Sequence, residues 1–155
     1  MLPMYRQATS KLLVARAAMR PFSVASIAQS RWSDLVKQTK ESLQIKEVSP
    51  SELKTELAGA QHQPIIIDVR EGPEWQKTGK IPNAVCLSRG VLELTVEDVV
   101  PPESDKPIVL YCAGGLRSIM AAESLIRMGY NKDNIKSLKG GFVAWKKEGF
   151  DVQKD

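Results

Sequence analysis

Little in this sequence can bind a metal or cross-link the chain: it has two cysteines, Cys86 and Cys112, and one histidine, His62, among 155 residues. The cysteines stand singly in different apolar runs, which excludes a disulfide framework and a zinc site of paired spacing and favours a reducing compartment. His62 sits in a polar loop, "AGAQHQP", so no histidine base is on hand for a nucleophile. Long apolar runs are also missing; "LLVA" near the N-terminus is too short and too interrupted to span a bilayer. Acidic residues are absent until Asp34, whereas Arg6, Lys11, Arg16, Arg20 and Arg31 precede it among frequent serines and alanines.

That basic, acid-poor opening has the profile of a mitochondrial transit peptide rather than a secretory signal. "RPFS", Arg20 to Ser23, reads as a processing site, so residues 1–22 are expected to be the leader, with cleavage near 22/23 and the matrix as destination. The import and processing machinery would then be a partner. Loss of the four basic residues in 1–22 takes the formal charge from +4 to zero. The basic balance therefore belongs to the leader and gives no reason to expect nucleic-acid binding.

What is present is enough for one core: 43% of the residues are apolar. Residues 23–40 read as a polar helical approach segment and 41–155 as a single domain. "LQIKEV", Leu43 to Val48, reads as a first strand. "SPSELKTELAG" has the marks of a helix, with Ser49 at the N-cap, Pro50 in the first turn, Glu52 closing a capping box and Gly59 at the end. "PIIIDV" and "PIVLYC" are apolar without alternation, as strands covered on both faces are. "NAVCLS" and "NIKSLKGG" supply two more strands, while "EGPEWQKTG", "VEDVVP", a stretch from Ser118 to about Met128, and "FVAWKKEG" read as helices. Strands alternating with helices predict an α/β fold: a five-stranded, mostly parallel sheet with helices on both faces and its site beyond the carboxyl ends of the strands.

Cys112 falls at that end of the most apolar strand, followed by "AGGLRS". Two glycines between a strand and a helix let successive amides turn inward at the positive end of the helix dipole, a place for an anion. Amides of that kind favour the ionised thiol, the form that acts as a nucleophile. The expected site is Cys112 as nucleophile with Ala113, Gly114, Gly115, Leu116, Arg117 and Ser118 around the substrate. Arg117 is suited to an oxyanion or to the loop's carbonyls, and Ser118 to capping the next helix. Cys86, with no glycine loop beside it, is expected to be a buried apolar residue. Arg70 and Arg89 follow strands that end near the same mouth, and structural pairing is favoured over substrate contact for both.

Three stretches together resemble the single-domain rhodanese family of sulfurtransferases: "DVREGPEWQKTGKIPNA" (Asp68 to Ala84), "CAGGLRS" (Cys112 to Ser118) and "LKGGFVAW" (Leu138 to Trp145). Lys80 stands where many members carry histidine. The resemblance implies a rhodanese-like fold, a fold-holding role for Asp68, Arg70 and Glu74, and no metal or cofactor beyond a covalent persulfide on Cys112. It implies transfer of sulfane sulfur from thiosulfate or glutathione persulfide, by way of Cys112, to an acceptor such as cyanide or glutathione. Four residues separate Cys112 from Arg117, the interval of the sulfurtransferases. Related phosphatases and arsenate reductases have one residue more and a wider ring of amides. A phosphatase or arsenate reductase is thus the weaker alternative, and an interaction or sulfur-carrier module is another.

Overall fold

The computed structural model describes residues 30–59 and 63–154. The expected leader and His62 lie outside the described residues. The two most apolar runs form the middle of the sheet: β2 (Ile65–Asp68) and β4 (Ile108–Tyr111) pair directly, from Ile65 opposite Ile108 to Asp68 opposite Tyr111. With β1 (Lys46–Val48), β3 (Val85–Cys86) and β5 (Ile135–Leu138), the order is β1-β5-β4-β2-β3 and every pairing is parallel. The expected five-stranded sheet is present.

Side chains of a strand point alternately to its two faces, so each central strand feeds two cores. On one face Ile67, Ile108, Leu110 and Cys112 meet Ile119, Ala122 and Leu125 of α5 (Leu116–Arg127) and Leu92 and Val96 of α4 (Leu92–Val99). On the other, Ile66, Val109, Tyr111 and Leu138 meet Leu53 of α2 (Pro50–Ala58) and Phe142 and Trp145 of α6 (Gly141–Lys147). Each of the large side chains enclosed in this way contributes about 1.5–3 kcal/mol of transfer free energy. Both faces of β4 are therefore committed, which fixes where the chain leaves the sheet at Cys112.

Several boundaries differ from the sequence reading for local reasons. The capping box of Ser49 and Glu52 is formed as expected. The approach segment is a helix, α1 (Arg31–Leu43), capped by Ser30 and closed by Gln44 at φ 53°. Because it runs through Leu43, β1 begins only at Lys46. Val36 of α1 is buried in the core it shares with α5, and the expected division between residues 40 and 41 falls inside this helix. α4 starts ahead of the "VEDVVP" stub, and β3 is only two residues long. Cys86 is half-buried rather than enclosed, since β3 lies at the sheet edge.

Beyond β2, α3 (Gly72–Thr78) brings Glu74 and Lys77 over the carboxyl ends of the strands. Its end is pinned by the C-terminal segment: Lys80 and Gln153 exchange both backbone hydrogen bonds at 2.9 Å. Gly79 is required there, because at φ +78° any Cβ would lie 2.6 Å from the Gln153 carbonyl oxygen.

Candidate active site

Cys112 follows the last residue of β4 and is 2% exposed. The chain then turns through Ala113 and Gly114 to Gly115, which takes φ +90° and serves as the N-cap of α5. This left-handed residue lets the helix start two positions earlier than the sequence reading placed it. Ser118 is consequently not the cap. It lies in the first turn, and its hydroxyl donates to the Gly115 carbonyl at 3.1 Å. The Gly115 amide points back at the cysteine, donating to Sγ at 3.2 Å.

Buried polar groups stand behind the sulfur. Ser118 Oγ is 3.8 Å from Cys112 Sγ and accepts a hydrogen bond from Ser137 Oγ of β5 at 2.8 Å. Both serines are fully buried. A hydroxyl has one proton, so the Ser118 proton can point to the Gly115 carbonyl or toward Sγ, while Ser137 occupies one of its lone pairs. In the sequence, the only sign of Ser137 is a small polar residue inside the run "NIKSL".

The outer side of the loop is fastened to α6. Phe142 N donates to the Cys112 carbonyl at 2.8 Å and Val143 N to the Ala113 carbonyl at 3.0 Å. These close contacts need the glycine pair that precedes them. Gly141 has φ +60°, and a Cβ there would overlap the Cys112 carbonyl oxygen and lie 2.7 Å from that of Ala113. A Cβ on Gly115 would likewise press on Gly140 N at 3.1 Å. The two glycine turns thus nest against each other, which neither could do with a side chain.

Arg117 does not bond the loop's carbonyls as the sequence reading allowed. Its two terminal nitrogens grip the Glu74 carboxylate in a fork, each at 2.8 Å. Glu74 also accepts the Glu71 amide at 3.0 Å. The hydrogen bond from Arg117 holds the Glu74 carboxyl down to about 2. In return Glu74 raises the Arg117 guanidinium above its ordinary value, and an ionised Cys112 adds to this. Glu74, expected only to hold the fold, therefore stands at the loop's edge and fixes the one guanidinium that follows the glycines.

Arg70 and Asp68 form a buried pair below this layer. Arg70 Nη2 donates to Asp68 Oδ2 at 2.6 Å and to the Gly79 carbonyl at 2.7 Å, and its guanidinium lies 4.0 Å from the Phe142 ring centroid. Burial works to lower the Arg70 pKa, but the Asp68 hydrogen bonds outweigh it and the net shift is upward. This is the structural pairing expected. Arg89 is also taken by structural partners, donating to Glu93 Oε1 and Ser124 Oγ, each at 2.8 Å, and it does not line the cavity beside the loop. Beside the loop, Arg70, Glu74, Ala113, Phe142 and Val143 help to line a cavity of about 350 Å³.

The arrangement is one sulfur at a strand end, an inward amide, a hydroxyl behind it and a clamped arginine. The model of the rhodanese-like domain matches residues 49–148, which takes in β2 to α6 and the whole loop. The chain belongs to the rhodanese-like domain family. Among its relatives are a sulfurtransferase of Allochromatium vinosum, 27% identical over 70% of this chain and 94% of that one, and the thiosulfate sulfurtransferase GlpE of Pseudoalteromonas translucida, 32% identical over 52% of this chain and 71% of that one. A solved structure from Rhodopseudomonas palustris, of unknown function and described as a possible tyrosine phosphatase, is 30% identical and superposes with a TM-score of 0.68, covering 81% of this chain and 96% of that one. In this rhodanese-like domain the sequence-expected loop, Cys112 to Ser118, is brought together as one unit at the sheet's carboxyl end. No described helix is long and apolar enough to cross a membrane.

Proposed function

We propose that this chain is a sulfurtransferase that accepts sulfane sulfur from thiosulfate on Cys112 and passes it to a thiophilic acceptor, cyanide or a thiol such as glutathione. The observation that carries this reading is the Gly115 amide aimed at Cys112 Sγ within a loop that leaves only four residues between Cys112 and Arg117. In the first step ionised Sγ attacks the outer sulfur of thiosulfate. The new S–S bond forms, the old one breaks, and sulfite leaves with the electron pair. A persulfide is left on Cys112. In the second step an acceptor removes the outer sulfur and the electron pair returns to Sγ. Glutathione persulfide can act as the donor by the same exchange.

The loop's parts have separate tasks in this scheme. The Gly115 amide, and the Ser118 proton when it turns inward, hydrogen-bond a negative Sγ both before attack and when it is the leaving group. The Arg117 fork is taken by Glu74, which holds it in place, so Arg117 meets the anionic donor with its remaining N–H groups rather than with a free charge. Site residues are thus Cys112 for the chemistry and Ala113, Gly114, Gly115, Leu116, Arg117 and Ser118 for the cradle; nothing in the scheme calls for a metal or cofactor. The acid-poor opening of the chain supports a mitochondrial, matrix location, with residues 1–22 as the leader.

Turnover of thiosulfate with cyanide by the purified protein, beside Cys112→Ser, tests the reading; undiminished turnover by the variant would end it. The relative described as a possible tyrosine phosphatase motivates a second reading, phosphate-ester hydrolysis. Hydrolysis of para-nitrophenyl phosphate without any thiosulfate turnover would establish that one instead.

A further inference from the structure

The cavity beside the loop has walls of unequal character. Pro73, Ala113, Phe142 and Val143 give it an apolar surface, and Val143 is 63% exposed at its rim. Two of the charged groups that line it are already compensated: Arg70 by Asp68, and Glu74 by Arg117. Two are not. Lys77 from α3 and Lys146 from α6 also line the cavity, and no carboxylate among the described residues pairs with either. The cavity therefore carries two uncompensated positive charges around an apolar wall, and it meets the catalytic loop at Ala113, next to Cys112 in the chain.

We propose that this cavity is the acceptor site and that it selects thiols with an apolar body and a carboxylate at the far end. The apolar body lies on Phe142, Val143 and Pro73, and Lys77 and Lys146 receive the carboxylate. Cyanide needs none of this, so the inference rests on the persulfide reading but adds the class of acceptor. In the step itself the acceptor thiol first loses its proton to water. Its sulfur then bonds to the outer sulfur of the Cys112 persulfide, the bond between that sulfur and Sγ breaks, and the electron pair returns to Sγ. The acceptor leaves as a persulfide anion, and no further oxidant or reductant takes part.

The test uses the full chain with thiosulfate as donor and four acceptors: cyanide, 3-mercaptopropionate, 6-mercaptohexanoate and 6-mercaptohexanol. The two six-carbon thiols differ only in the terminal charge. KM for mercaptohexanoate is expected about fivefold below that for mercaptohexanol, as two exposed charge contacts allow. It is expected about tenfold below that for mercaptopropionate, whose body is too short to cover the apolar wall. In Lys77→Gln/Lys146→Gln the preference for carboxylate over alcohol falls to about one; because this is a ratio within one protein, a general loss of activity does not imitate it. Equal KM values for the two six-carbon thiols in the native protein, or an unchanged ratio in the double variant, would overturn the assignment. Cyanide turnover with no carboxylate preference removes only this inference, whereas failure with cyanide as well removes the persulfide reading with it.

Discussion

Replacing Glu74 with glutamine removes the charge that clamps Arg117 but keeps the side chain's shape. The fork has two bonds of 2.8 Å, and Glu74 titrates at about 2 instead of 4.5 because of it. At face value that displacement is worth about 3 kcal/mol. The carboxylate is 33% exposed, however, and solvent screening reduces the expected cost of Glu74→Gln at neutral pH to about 1–2 kcal/mol. The pH dependence has a definite sign. A carboxyl whose pKa is lower in the folded state stabilises that state above its unfolded pKa and loses the effect as the pH falls toward the folded one. The difference between native and variant should thus be full above 4.5 and shrink progressively toward 2. Urea denaturation of both proteins at several pH values measures it. A cost that is independent of pH across this window, or no cost at neutral pH, would refute the reasoning. Asp133→Asn breaks an exposed pair with Lys46 and should leave the denaturation midpoint nearly unchanged.

Further substitutions probe the parts beneath and beside the loop. Gly141→Ala forces a Cβ into the Cys112 and Ala113 carbonyls at φ +60°, so we expect a loss of at least about 2 kcal/mol in chemical denaturation and a collapse of thiosulfate turnover even in molecules that stay folded. Asp68→Asn leaves the 2%-exposed Arg70 without its counter-charge and should cost about 3–5 kcal/mol, read as a lowered denaturation midpoint. Ser118→Ala removes the proton that can turn to Sγ; alkylation of Cys112 by iodoacetamide at neutral pH should slow by about threefold to tenfold, and Ser118→Thr should recover most of it.

The sheet and its helices were legible because their signals are local. Unbroken isoleucine and valine runs mark β2 and β4, and the Ser49–Glu52 capping box marks α2 to the residue. The loop was legible too, since a cysteine, two glycines and an arginine within six residues carry their own geometry. What could not be read were contacts made across the chain. Arg117 meets Glu74, 43 positions away, and Ser118 meets Ser137, 19 positions away. Nothing near Arg117 in the sequence says that its fork is taken by a carboxylate rather than by loop carbonyls. The early start of α5 depends on Gly115 adopting a left-handed conformation, for which "AGG" offers two candidates. Gly140 and Gly141 were visible as a pair, but their purpose appears only when the loop is laid against them.

The most direct measurement is the mass of the protein after brief exposure to thiosulfate and removal of excess donor. A sulfur carrier loaded at Cys112 gains the mass of one sulfur atom, located by fragmentation on the peptide containing Cys112, and loses it on addition of cyanide. Cys112→Ser should gain nothing. A native protein that gains no mass, or a Cys112→Ser variant that gains as much as the native one, would contradict sulfur transfer through Cys112.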